Sequence, residues 1–106
     1  MPNKKSNVFL TLRAQHDLHD IATYYKLRVG TESAKRITDK LLNRIELLAD
    51  FPELGTVIAS ELIMKAGYNM LVIEEYLCFY SMQNDMVFVH HIVHGSTDYI
   101  KLIFSL

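Results

Sequence analysis

The sequence predicts a small α+β protein in which a pair of helices precedes a sheet. The spacing of apolar residues changes once, near the middle of the chain, from the helical period to the period of two that is typical of strands. Half of the 106 residues are hydrophobic, which is enough to build a core without disulfide bonds. We therefore expect residues 1–106 to form one domain.

The first half of the chain predicts a short strand followed by two helices. Residues 8–12 alternate as a strand does, and Thr11 can cap the helix that follows. Apolar residues then recur at helical spacing over residues 13–29 and again over residues 34–48. Gly30 favours the left-handed backbone that ends a helix. Because the connection is so short, the two helices should pack antiparallel as a helical hairpin.

The second half predicts three strands joined by tight polar turns. The strands cover residues 68–73, 76–82 and 86–93, and the last two are apolar on both faces, as central strands are. Residues 56–66 are expected to form a connecting loop with a helical turn near Glu61. The three strands should form a twisted antiparallel sheet, with the helical hairpin on one face and a concave candidate site on the other.

A short helix is expected to follow the last strand. Tyr99, Leu102 and Ile103 recur at helical spacing, and Ser96 or Thr97 is placed to cap this helix.

The composition narrows the possible functions. Lys and Arg number 11 against 12 for Asp and Glu, so the bulk charge does not favour wrapping of nucleic acid. The polar first residues do not resemble a signal peptide, and no apolar run is long enough to span a membrane. We expect a cytoplasmic protein. Cys78 is the single cysteine and should be a buried, inert thiol.

Three histidines, His90, His91 and His94, cluster at the end of the last strand. Histidine can act as an acid or a base near neutral pH. On an extended strand, His91 should face away from His90 and His94, which lie too far apart to share a metal ion. His16 and His19 are better explained as part of a solvated helix face. We therefore expect neither a metal nor another cofactor.

Several short stretches carry a resemblance that covers nearly the whole chain. They are the strand-to-helix segment from Val8 to Tyr25, the junction Leu48…Phe51-Pro52-Glu53-Leu54-Gly55, the pair Gly67-Tyr68, the strand Tyr76-Leu77-Cys78-Phe79-Tyr80, and the segment Val93-His94-Gly95…Asp98-Tyr99…Leu102-Ile103-Phe104. Their order and spacing resemble the RelE/ParE superfamily of toxins from type II toxin–antitoxin systems, also known as plasmid-stabilisation proteins.

The resemblance implies a growth inhibitor that a cognate antitoxin neutralises within a toxin–antitoxin hetero-oligomer. Some members of the family cut messenger RNA on the ribosome, and others poison DNA gyrase. The resemblance also implies the fold: an N-terminal strand and a helical hairpin on an antiparallel sheet, with a short C-terminal helix.

The chain departs from the family where positive charge is usual. Asn69 stands where an arginine commonly follows the tyrosine, Leu77 stands at a further arginine position of the nuclease branch, and Ser96 and Thr97 replace an arginine pair. Arginine is the residue best suited to stabilise phosphate charge during RNA cleavage. The departures therefore favour a gyrase-poison-like toxin over a messenger RNA nuclease.

Two alternatives remain. One is a catalytically inactive binding module of the same fold. The other is a ribosome-dependent endoribonuclease in which His91 or His94 supplies acid–base catalysis and Lys65 or Lys101 stabilises the phosphorane charge, with Tyr99 as a further candidate catalytic residue. The candidate target-binding residues are Lys65, Asn69, Thr97 and Lys101.

Overall fold

The computed structural model describes residues 7–56 and 60–104. The elements are, in chain order, β1 (Asn7–Leu10), α1 (Leu12–Arg28), α2 (Thr31–Glu46), α3 (Glu61–Lys65), β2 (Asn69–Ile73), β3 (Tyr76–Gln83), β4 (Met86–His94) and α4 (Tyr99–Phe104). Two 3-10 turns, Leu47–Ala49 and Pro52–Leu54, separate α2 from α3. This order confirms the predicted fold class. Predictions for residues 1–6 and 57–59 lie outside the described residues.

The four strands form one sheet in the order β1-β4-β3-β2. The pairs β2–β3 and β3–β4 are antiparallel, as predicted. However, β1 pairs with β4 in parallel, so the sheet is mixed. A parallel pair needs a long connection, which the helical hairpin and the two intervening strands provide here.

The boundaries of α1 follow from its terminal residues. The backbone N–H of Ala14 donates to the hydroxyl oxygen of Thr11 at 3.2 Å, which confirms the predicted cap. At the other end, Gly30 has φ +123°, and its N–H donates to the Tyr25 carbonyl at 2.9 Å. The chain thereby reverses within a few residues, and α2 packs beside α1.

One face of the sheet is covered by this hairpin through a single buried cluster, which we call the hairpin core. The helices and the turn that follows them supply Ala14, Ile21, Ile37, Leu41, Ile45 and Leu48, and the strands supply Leu71, Ile73, Tyr76, Cys78, Tyr80, Val87, Val89 and Ile92. Cys78 is fully buried and its thiol pKa is raised to about 12 by that burial, so the predicted inert thiol is confirmed.

The other face carries a smaller group that we call the opposite-face cluster. Its buried members are Ile63 of α3, Phe79 of β3 and Val93 of β4, and side chains of α4 pack against them. The sequence predicted this face to be open and concave, but α3 and α4 cover part of it. Short helices of this kind carry too few apolar residues for their packing direction to be inferred from sequence.

Tyr80 fixes the segment between α2 and α3. Its hydroxyl donates to the Pro52 carbonyl at 2.7 Å and accepts the Gly55 N–H at 2.8 Å. A Cβ atom at Gly55 would lie 2.5 Å from that hydroxyl oxygen. Only glycine leaves room for the hydroxyl at this position. The contact with Tyr80 therefore explains why the junction Pro52-Glu53-Leu54-Gly55 ends in glycine.

No helix among the described residues is both long enough and apolar enough to cross a bilayer.

Candidate functional site

A β-bulge in β4 sets the direction of two of the three clustered histidines. Phe79 pairs with His91, whereas the next residue of β3 pairs with Val89, so His90 is the extra residue between them. Both histidine rings consequently contact Tyr68, with centroid distances of 4.8 Å for His90 and 6.2 Å for His91. The prediction that His91 faces away from His90 is wrong, because strict alternation fails at a bulge.

The surroundings of these two rings favour their neutral forms. The His90 Nε2 lies 2.7 Å from the Ser81 hydroxyl oxygen. The His91 Nδ1 is buried and has no hydrogen-bond partner among the described residues. Burial lowers the pKa of both histidines, although the nearby Asp17 carboxylate opposes the shift at His91. Neither ring therefore offers a positive charge at neutral pH.

His94 is exposed and ties the end of β4 to the turn between β2 and β3. Its Nε2 lies 3.5 Å from the Glu75 carboxylate, and its Nδ1 lies 2.7 Å from the Ser96 hydroxyl oxygen. The Gly95 N–H also donates to the Glu75 carbonyl at 2.8 Å. The ring rests edge-on against Tyr76. His94 thus has a structural role at the segment that leads into α4.

The order Glu75–His94–Ser96 superficially resembles the acid, base and nucleophile of a hydrolase. Such a site also needs free hydrogen-bond donors, most often backbone N–H groups, to stabilise an oxyanion. Here the Ser96 N–H donates to the His94 Nδ1, and the Thr97 N–H donates to the His94 carbonyl. With the Gly95 N–H engaged as well, these bonds close a turn and do not prepare an oxyanion site.

The start of α4 differs from the prediction. The Lys101 N–H donates to the Asp98 carboxylate at 3.3 Å, so Asp98 supplies the cap in place of Ser96 or Thr97. The Ser96 hydroxyl is unavailable because it contacts His94. Tyr99, a candidate catalytic residue, packs its ring on Phe79 at a centroid distance of 5.2 Å.

The four candidate target-binding residues lie on different elements. Lys65 is exposed on α3 and lies 4.0 Å from the Glu61 carboxylate. Lys101 is exposed on α4, and Asn69 borders a small hollow beside the Pro52–Leu54 turn. Thr97 lines a separate and larger cleft. The structure therefore does not gather them around one of the histidines.

The larger cleft, of about 600 Å³, lies between α1 and the ends of β3 and β4, and we call it the tyrosine cleft. It is lined by Asp17, Asp20, Ile21, Tyr24 and Tyr25 of α1, by Glu75, Tyr76, Ile92, Val93 and His94 at the strand ends, and by Ser96, Thr97 and Leu102. Three carboxylates and three tyrosine rings thus surround it. Among the described residues, neither Lys nor Arg lines it, and His94 is its single basic group.

Asp17 has a defined structural part in this cleft. One of its oxygens accepts the backbone N–H of Ile92 at 3.0 Å, and the other accepts the Arg13 guanidinium at 3.1 Å. β1 ends opposite Val89, so among the described residues no strand lies beside β4 at Ile92. The Asp17 carboxylate accepts the Ile92 N–H that a strand would otherwise pair with.

The sequence analysis did not identify the carboxylates of α1. Asp17, Asp20 and Tyr24 are spaced by three and four residues, which places them on one helix face. All three also lie within the stretch from Val8 to Tyr25 that carries the family resemblance. Their spacing was therefore a usable signal, but a charged helix face is usually solvated, and nothing in the sequence located the strand ends opposite it.

The described residues contain no group of three His, Cys, Asp or Glu side chains placed to bind a metal ion. His16 and His19 are exposed on α1.

Comparison with known proteins identifies the class to which this fold and sequence belong. Residues 8–99 match the family described as the ParE toxin of the type II toxin–antitoxin system parDE. The chain belongs to this toxin family. No curated protein matches the sequence at a significant level.

Two solved structures show the same fold. A chain of the chromosomal ParDE system from P. aeruginosa superposes with a TM-score of 0.73 and 18% identity, covering 87% of this chain and 98% of that chain. A chain of the RelBE2 toxin–antitoxin complex from Mycobacterium tuberculosis gives a TM-score of 0.63 and 20% identity, covering 85% and 98%.

Proposed function

We propose that this chain is the toxin of a type II toxin–antitoxin pair and that it inhibits growth by binding a protein target, DNA gyrase, without cutting RNA. The charge of the tyrosine cleft carries this proposal. Three carboxylates and no Lys or Arg of the described residues line it. Carboxylates repel phosphate, and a phosphorane needs added positive charge.

The positions of the candidate nuclease residues support the same conclusion. Tyr99 is packed on Phe79, and His91 is held against Tyr68 on the side of the sheet that bears Phe79. His94 lies in the tyrosine cleft. An acid, a base and a charge stabiliser must act on one phosphate, and these side chains do not converge on one point.

An antitoxin is the partner we propose for this toxin, because the solved relatives come from toxin–antitoxin systems. The end of α1 offers a surface for such a partner. Tyr24, Leu27 and Val29 are exposed there, Leu27 to 80%. Large apolar side chains grouped at one helix end are typical of surfaces that a partner protein covers.

Induced expression in bacteria tests the toxin function. We expect growth to stop when the soluble chain is made alone and to continue when its antitoxin is made with it. Messenger RNA mapped by primer extension should show no new cleavage at ribosome-bound codons. New cleavage sites would overturn the proposed mechanism and restore the nuclease.

A paired variant separates the two mechanisms further. Lys65→Gln/Lys101→Gln removes the candidate charge stabilisers, and neither side chain supports the fold. We expect toxicity to persist in this variant, as in the control Lys26→Gln/Lys35→Gln. Loss of toxicity in the first variant alone, together with loss of messenger RNA cleavage that the parent chain causes, would favour RNA cleavage.

The inactive binding module is the second candidate. The absence of Lys and Arg from the tyrosine cleft among the described residues favours it as well. This form predicts normal growth at confirmed soluble expression, together with stable binding of the antitoxin.

A further inference from the structure

The tyrosine cleft combines negative charge with aromatic walls, and this combination defines a ligand chemistry. We propose that the cleft receives an arginine side chain from a bound protein segment. The inference rests on the proposed function in one respect, since it takes the partner of the toxin to be a protein.

The carboxylates of the cleft are not equally available. Each oxygen of Asp17 already accepts one hydrogen bond, from the Ile92 N–H or from Arg13, so this carboxylate is less available to a ligand than an unengaged one. Asp20 is exposed, and no hydrogen bond or ion pair within the described residues holds it. The Glu75 carboxylate lies 3.5 Å from the His94 Nε2. Asp20 is therefore the most available acceptor for an incoming cation.

Acidic side chains alone would define no ligand, because most are simply solvated. The independent observation is at Tyr24, where the Arg28 guanidinium carbon lies 4.9 Å from the ring centroid. One face of a ring that lines the cleft thus already stacks with a guanidinium of its own helix, which leaves the opposite face for an incoming cation. Tyr25 stands edge-on to it at 5.7 Å, and Tyr76 adds a third ring. Aromatic faces attract guanidinium groups by cation–π interaction.

Arginine fits this chemistry better than lysine or a metal ion. Its planar guanidinium can stack on a tyrosine ring and pair with a carboxylate at the same time. An ammonium is more strongly hydrated and lacks the flat face. The cleft volume of about 600 Å³ leaves room for the whole side chain and part of its backbone.

Nuclear magnetic resonance titration of the full chain tests the site with a defined probe. The probe is the peptide acetyl-Ala-Arg-Ala-amide, and its control is the same peptide with citrulline, which has the same shape but no charge. We expect shifts concentrated at Asp20, Tyr24 and Tyr76, and binding about tenfold tighter for the arginine peptide, as an exposed ion pair and one cation–π contact together predict.

Two variants identify the contacts. Asp20→Asn and Tyr24→Leu should each weaken binding of the arginine peptide several-fold, whereas Asp39→Asn, on the exposed side of α2, should leave it unchanged. Equal binding of the citrulline peptide, shifts located elsewhere, or unchanged binding by Asp20→Asn would overturn the proposal. The titration reads cleft occupancy directly, so a chain that proves non-toxic in the growth experiment leaves this result standing.

Discussion

The two faces of the sheet are covered by different kinds of side chains. Beneath the helical hairpin, apolar side chains from two long helices and three strands form one continuous core. On the other face, the buried group consists of Ile63 of α3 and the strand residues Phe79 and Val93, and side chains of α4 pack against it. Beside this group, the Tyr68 ring contacts both His90 and His91.

Because of this difference, the stability that each face contributes should depend differently on pH. The hairpin core is mainly apolar, and burial raises the pKa of its three titratable groups, Tyr76, Cys78 and Tyr80, so its contribution should be insensitive to pH near and below neutrality. The opposite face buries two titratable rings beside a polar hydroxyl, so its contribution depends on their protonation. Each prediction below changes one face and leaves the other as the reference.

The largest effect is expected from a cavity in the hairpin core. Leu41 is fully buried at its centre. Leu41→Ala should lower the free energy of unfolding by about 2–5 kcal/mol, as buried leucine truncations do, when measured by urea denaturation. Leu27→Ala removes the same atoms from an exposed position and should change it by less than about 0.5 kcal/mol. Similar losses in both variants would contradict the assignment of the core.

Removing one tyrosine hydroxyl from each face should give smaller changes in the free energy of unfolding. Tyr80→Phe removes the group that bonds Pro52 and Gly55, and should lower the free energy of unfolding by about 1–3 kcal/mol. Tyr99→Phe should change it by less than about 0.5 kcal/mol, because within the described residues that hydroxyl forms no hydrogen bond. Equal changes would mean that the hydroxyl of Tyr80 does not hold its turn.

A loss of stability on acidification is expected from the opposite face. The pKa values of His90 and His91 lie below their ordinary value of 6.5 because the rings are buried. The unfolded chain then binds protons more readily than the folded chain. Stability should be complete above about pH 6.5 and should fall as the pH drops through that value toward the folded pKa.

Two pairs of substitutions test whether the buried histidines cause this pH dependence. His90→Gln/His91→Gln should flatten the fall in denaturation midpoint between neutral and mildly acidic pH. His16→Gln/His19→Gln changes two exposed histidines of α1 and should leave it as in the parent chain. If the second pair flattened the curve and the first did not, the buried rings would not be its source.

The sequence predicted the hairpin face better than the opposite face, and particular residues show why. The repeated apolar positions of α1 and α2, the cap at Thr11 and the turn at Gly30 are local signals, and all three were confirmed. The bulge at His90 depends on register between two strands, which alternation within one strand does not encode. The tyrosine cleft lies between α1 and strand ends that are distant in sequence. The sequence therefore showed its individual residues but did not predict that they come together.

The proposed action on a protein target is tested most directly with purified components. The folded chain is added to DNA gyrase and relaxed plasmid, and supercoiling is measured with and without the antitoxin. We expect supercoiling to be inhibited in proportion to the toxin and restored by the antitoxin, while ribosome-bound messenger RNA stays intact. Unimpaired supercoiling together with cleavage of that messenger RNA would contradict the account.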